Sequence, residues 1–215
     1  MTETGYGDFE FERKFFVREL PAELRSESGP ELIVQSYFLA AEGYALRVRL
    51  SGPAPHPALP GEIHDGDAGV LRALDSLGDR FTFCALTAKG PYVGGTRYEA
   101  ERELDIAVGL AMVRLGGRRL IKLRHSLWLG ADGWVVDEFL GDNAGLVVAE
   151  CEREGPVTDL VIPPFAVTEV TDDPRFANDR LVHHPYREWG AGFEAELAVA
   201  GPRFLEGFGR NEHTH

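Results

Sequence analysis

Several stretches of this chain carry ionised residues two positions apart, and within most of them the pairs are sorted by sign. Successive residues of a strand point to opposite faces, so residues two apart share one. Glu10, Glu12 and Lys14 would share a face, with Phe9, Phe11 and Phe15 on the other. Arg47 and Arg49 alternate with Leu46, Val48 and Leu50, and Lys122 and Arg124 with Ile121 and Leu123. Arg97, Glu99, Glu101 and Glu103 share a face, as do Glu150 and Glu152. Any sheet with one solvated face alternates apolar and polar residues. Such faces usually mix signs, however, and like-signed neighbours repel unless opposite charge lies between them. The acidic pairs suit a hard divalent cation, Mg²⁺ or Mn²⁺, held through oxygen. The basic pairs, with Lys89 and Arg97, suit phosphate oxygens. A face carrying both fits a metal-bridged polyphosphate.

The elements that must position these residues are mostly strands. Phe9–Val17 reads as the first. Gln35–Ala40 and Tyr44–Leu50 read as a hairpin, as do Phe81–Lys89 and Thr96–Leu104 around Gly90, Gly94 and Gly95. Arg119–Leu129 and Gly133–Leu140 flank a turn over residues 130–133, and Leu146–Arg153 is a last strand. Helical spacing marks Gly69–Leu77 and Asp105–Leu115, and Pro174–Leu181 reads as a short helix. Prolines at 53, 55, 57 and 60 make Ser51–Gly66 a loop, and Trp189–Phe208 reads as a polar, glycine-rich tail with some helical content. Hairpins of this kind predict an α+β chain dominated by antiparallel β-structure. About eight strands of this kind often close into a barrel, which removes exposed edges.

The totals set limits. A chain of 215 residues fits one large domain. No apolar run approaches a membrane span, and two cysteines, Cys84 and Cys151, form no disulfide framework, so a reduced cytoplasm is expected. Lys+Arg is 22 against 35 Asp+Glu, a net charge of −13, which argues against nucleic acid and anionic membranes as partners. It does not argue against a small polyanion held inside. Only Lys14, Lys89 and Lys122 are lysines, and all three fall at the positions just described. Cys151 should face away from Glu150 and Glu152, and His183, His184, His213 and His215 read as solvated loop residues.

Laid out in order, these segments resemble the CYTH family, the triphosphate tunnel metalloenzymes. Glu10-Phe11-Glu12-Arg13-Lys14 is similar to its opening Glu-x-Glu-x-Lys. Arg47-Val48-Arg49, Thr87-Ala88-Lys89, Arg97-Tyr98-Glu99-Ala100-Glu101, Lys122-Leu123-Arg124, Asp137 and Glu150-Cys151-Glu152 resemble its successive strands, and residues 163–181 its ending. The resemblance runs from about Phe9 to Pro185, with 52–80 as an insertion and 186–215 as an extension. The family's Pro-Trp-x-Gly segment reads Pro164-Phe165-Ala166-Val167 here.

The resemblance implies a closed eight-stranded tunnel with its charged face inward and flanking helices. It implies Mg²⁺- or Mn²⁺-dependent hydrolysis of a triphosphate, inorganic or nucleoside/organic. Glu10, Glu12, Glu150 and Glu152, with Asp137 in addition, would ligate metal. Lys14, Arg47, Arg49, Lys89, Arg97, Lys122 and Arg124 would bind phosphate, and Glu99 and Glu101 would orient these or hold a second metal. Lys14, beside Glu10 and Glu12, would touch the attacking water, its pKa lowered by burial among cations. The insertion or the extension would narrow the tunnel mouth or alter substrate choice. An adenylate cyclase using the same clamp and a non-catalytic polyphosphate- or nucleotide-binding module are the alternatives. Oligomeric state is left open, a homodimer included.

Overall fold

The computed structural model describes residues 9–25, 29–55, 59–93 and 96–213. Gly94, Gly95 and His215 lie outside them. The long strands are β1 (Phe9–Val17), β2 (Glu31–Ala41), β3 (Tyr44–Pro53), β4 (Phe83–Lys89), β5 (Thr96–Glu103), β6 (Arg118–Leu129), β7 (Asp132–Phe139) and β8 (Val147–Arg153). They pair antiparallel in the order β1-β5-β4-β3-β2-β6-β7-β8, and β8 returns to β1. The result is a closed eight-stranded barrel. The Glu42-Gly43 turn between β2 and β3 has φ of 53° and 84°, the paired left-handed conformation that suits a twisted hairpin. Three two-residue strands lie outside what the sequence pattern predicts: β9 (Val161–Ile162), β10 (Thr168–Glu169) and β11 (Glu212–His213). They are too short for alternation to register.

Four helices flank the barrel: α1 (Gly66–Leu77), α2 (Ile106–Leu115), α3 (Asn178–Leu181) and α4 (Tyr186–Ala200). The outward residues Leu32, Val34, Val48, Leu50 and Ile121 pack with Val70, Leu74 and Leu77 of α1 and Val113 of α2. Asp105 caps α2, accepting from the N–H groups of Ala107 and Val108. Gly109 in α2 sits so close to the wall that a β-carbon there would lie 2.1 Å from Cys84 Sγ. Helix α1 is thus part of the outer wall. A second outward cluster joins Phe15, Trp134, Ala149 and Cys151 to Leu160, Ile162 and Ala166, with Cys151 facing away from the lumen. Phe165 meets Trp134 edge-on at 6.4 Å.

The third cluster is inside. At one end of the barrel, the inward positions are apolar: Phe16, Tyr37, Leu120, Phe139 and Val148. Phe176, Leu181, Phe193 and Leu197 pack onto them. The expectation of a polar tail is corrected here, because α4 spans 15 residues and buries Phe193 and Leu197. Each such burial is worth about 1.5–3 kcal/mol. Among the described residues, no helix is long and apolar enough to cross a membrane.

Candidate active site

With the apolar residues of the central barrel facing out, its ionised residues meet inside. Glu10, Glu12, Arg49, Lys122, Arg124, Glu150 and Glu152 line one cavity of about 420 Å³, together with Lys14, Arg47, Lys89, Glu99 and Glu101. A neighbouring cavity of about 430 Å³ shares Glu12, Lys14, Arg47 and Lys89 and adds Arg97, Tyr37, Tyr92 and Asp172. Six strands supply the ions of the first cavity, and β7 adds Asp137 behind them. This is why residues so far apart in sequence converge.

The charges ring the lumen in three separate ion-paired groups. Lys89 Nζ bridges Glu10 at 2.7 Å and Glu99 at 2.5 Å. Lys14 Nζ bridges Glu12 at 3.0 Å and Glu150 at 2.8 Å. Arg124 reaches Glu150 at 3.2 Å and Asp137 at 2.7 Å, and Lys122 meets Asp137 at 2.5 Å. Arg49 pairs with Glu101 at 2.9 Å, which also accepts from Thr87 Oγ1 at 2.9 Å. Arg47 is 3.5 Å from Glu99.

The groups left over are informative. Among the described residues, Arg97 and Glu152 have no salt-bridge partner, and the Nε donors of Arg47, Arg49 and Arg97 are buried without a hydrogen bond. Buried donors are normally satisfied, so three orphaned guanidinium N–H groups on neighbouring walls mark a place for an anion.

The acidic side carries excess charge of the opposite sign. Partial desolvation and the fields of Glu10, Glu12 and Glu150 push the Glu152 carboxyl up to about 7. Burial also raises Glu12, reinforced by Glu10 and Glu150 although Lys14 opposes them. Glu10 goes the other way: burial works to raise it, but Lys89, a hydrogen bond with Glu99 and the charge of Lys14 together outweigh burial and hold it at about 2. Among the described residues no three acidic, histidine or cysteine groups already stand together as a metal site. The donor chemistry nevertheless fits a hard cation, because it is all carboxylate oxygen and Glu152 is a negative charge the protein leaves unpaired.

Because the raised Glu152 pKa penalises its ionised form in the folded state, its stability contribution is present below the ordinary carboxylate range. That contribution is lost as pH rises through about 7. Without divalent ions, Glu152→Gln is therefore expected to gain stability relative to the parent at pH 8 but not at pH 5, read by urea unfolding. An equal difference at both pH values would refute the field argument.

The Asp137 side chain is 0% exposed, and its oxygens accept from Lys122 Nζ, Arg124 Nε and Arg124 Nη2, so metal ligation there would compete with two cations. One expectation needs correction. Burial does tend to lower the pKa of Lys14, but Glu12, Glu150 and Glu10 surround it and hold the ammonium well above its usual value. Its neighbours are anions, not cations, so it remains a proton-holding donor. Gln35, Thr87, Tyr37, Tyr92 and Asn178 line the cavities or support them, whereas the sequence reading gives none of them a part in the site.

No family model matches the chain. An inorganic triphosphatase of Acetivibrio thermocellus is 36% identical over 106 residues, which is 48% of this chain and 68% of that protein. A crystal structure of an inorganic triphosphatase is 24% identical, with a TM-score of 0.49 over 80% of this chain and 93% of that one. A Hippeastrum protein described as an adenylyl cyclase with dominant triphosphatase activity is 18% identical, with a TM-score of 0.38 over 67% and 79% of the two chains. Given the Acetivibrio relative and a closed barrel whose inward face gathers the ordered acidic and basic pairs, the chain belongs to the CYTH family of triphosphate tunnel metalloenzymes.

Proposed function

We propose that this protein hydrolyses a triphosphate, inorganic tripolyphosphate first among them, in the charged lumen with Mg²⁺ or Mn²⁺. The observation that carries this reading is the trio of buried, unpartnered Nε donors on Arg47, Arg49 and Arg97, in a lumen that also leaves the Glu152 carboxylate without a salt-bridge partner among the described residues. An anion alone would satisfy the first and a cation alone the second, whereas a metal-bound polyphosphate satisfies both. The name of the Acetivibrio relative, an inorganic triphosphatase, agrees.

In this reading Arg47, Arg49, Arg97 and Arg124 grip phosphate oxygens as planar, permanently charged donors. Glu10, Glu12, Glu150 and Glu152 would hold the divalent ion, which when bound neutralises phosphate charge and polarises the phosphorus toward attack. Glu99 and Glu101 keep the Lys89, Arg47 and Arg49 side chains turned into the lumen. Lys14, fixed between Glu12 and Glu150, donates a hydrogen bond to orient water or a phosphate oxygen. It does not act as the base, since it keeps its proton. Electrostatic positioning of this kind supplies most of the rate in phosphoryl transfer. Both cysteines are buried and free, in keeping with a reduced cytoplasm.

The test is phosphate release from tripolyphosphate, ATP and other triphosphates with Mg²⁺ or Mn²⁺, with calorimetry alongside. Release from tripolyphosphate is expected. Cyclic AMP from ATP would turn the reading to a cyclase, and tight binding without turnover to a non-catalytic module.

A further inference from the structure

Among the described residues, the strand that carries Glu12 and Lys14 has no β-ladder partner on one edge at those two residues. On that edge, among the described residues, β5 pairs with β1 at Phe9, Glu10 and Phe11, and β10 at Phe15 and Phe16. On the other edge β8 runs unbroken from Phe11 to Val17. Backbone groups of alternate residues point to alternate edges, so the gap falls on the main-chain groups of Glu12 and Lys14.

Two side chains and one backbone N–H meet these groups. The Tyr92 hydroxyl donates to Glu12 O at 3.1 Å. Thr171 Oγ1 accepts from Lys14 N at 3.0 Å and donates to Glu169 Oε1 at 2.8 Å. Val170 N closes on Lys14 O at 2.8 Å. Glu169 is itself saturated: it accepts from Arg13 Nε at 2.8 Å, Arg13 Nη2 at 2.6 Å and Leu205 N at 2.8 Å. Arg13 lies between Glu12 and Lys14, points outward and is fully buried, and it also donates to Asn211 Oδ1 at 2.9 Å. The C-terminal segment thus reaches the back of the strand that presents the acidic pair and Lys14.

We propose that Thr171 and Tyr92 are positioning residues, standing in for a β-neighbour to fix Glu12 and Lys14, with Arg13–Glu169 and the 205–211 segment as their anchor. The inference rests on the triphosphatase reading for its kinetic arm.

The test uses the full chain with Thr171→Val, Thr171→Ser and Tyr92→Phe. Valine keeps the shape of threonine but offers Lys14 N–H nothing to bond. Thr171→Val is expected to lower kcat for tripolyphosphate about tenfold, with KM within about twofold because the arginine clamps lie on other strands. Exchange of the Lys14 amide should speed about tenfold, while the Arg13 and Phe15 amides, which face β8, keep parent rates. Thr171→Ser should restore both. Tyr92→Phe, a change at the cavity wall that keeps the ring, should lower kcat several-fold on its own. Parent-like kcat in Thr171→Val or in Tyr92→Phe, unchanged Lys14 exchange in Thr171→Val, or a serine variant as impaired as valine overturns the proposal. A parent that turns over no triphosphate overturns the hydrolase reading instead, and Lys14 exchange then decides the brace alone.

Discussion

Glu150→Gln is expected to lower phosphate release from tripolyphosphate by about a hundred- to a thousandfold, the scale on which single preorganised electrostatic groups act in active sites. The substitution keeps shape and one acceptor oxygen but removes the charge. Glu150 is the hinge of its ion-paired group: it binds Lys14 at 2.8 Å and Arg124 at 3.2 Å, and so joins the acidic side of the lumen to the basic side. Burial works against its ionised form, but Lys14, Lys122 and Arg124 outweigh burial and hold its carboxyl well below the usual range, so it is a full negative charge at neutral pH. Without it, Lys14 keeps Glu12 and Arg124 keeps Asp137, which is why the barrel should stay folded. Circular dichroism and a thermal melt verify folding, steady-state phosphate release gives the loss, and Mn²⁺ calorimetry should show affinity falling at least about tenfold. A folded variant with parent activity would remove Glu150 from the site and, with it, the main acidic anchor of the mechanism.

The inward set was legible because closure of a barrel converts a period of two into an inside and an outside. Glu10, Glu12 and Lys14 alternate with phenylalanines, and Arg47 and Arg49 with aliphatic residues, so their faces follow from sequence alone. The role of Asp137 did not follow, for a traceable reason. Leu129 pairs with Asp132 across a two-residue turn at Gly130-Ala131, and counting back from there sets Arg124 opposite Asp137. Reading the turn as four residues, 130–133, hides that register and leaves Asp137 looking like a free carboxylate. Helix α4 was missed differently. Trp189, Phe193 and Leu197 recur every four residues, a helical stripe, but Gly190 and Gly192 dilute it and suggest a tail. The support given to Glu12 and Lys14 by Tyr92 and Thr171 leaves no pattern in sequence, since it depends on where β5 begins and β10 ends.

The ion pairs of Asp137 make their own prediction. Asp137→Asn is expected to cost about 3–5 kcal/mol of folding stability, the usual consequence of stranding a buried cation. Lys122 and Asp137 are both 0% exposed, so the ammonium would lose its partner without gaining solvent in the folded side-chain arrangement. Asparagine can accept one hydrogen bond but cannot balance Lys122 and Arg124 together. Lys122→Met should cost less, because Asp137 would still hold Arg124 through both guanidinium contacts, at 2.8 and 2.7 Å. The pH dependence has a definite sign. Burial tends to raise the Asp137 carboxyl, but Arg124 and Lys122 outweigh it and depress it below its ordinary value. Its contribution is therefore present above the ordinary aspartate range and is lost as pH falls through the folded-state value. The gap between parent and Asp137→Asn in urea unfolding should be widest near neutral pH and narrow in acid. Metal affinity separates this role from ligation. If Asp137 anchors Lys122 and Arg124, a folded Asp137→Asn protein binds Mn²⁺ like the parent and loses affinity for tripolyphosphate. If it ligates metal, Mn²⁺ affinity collapses while stability is little changed, because removing a ligand strands no buried cation.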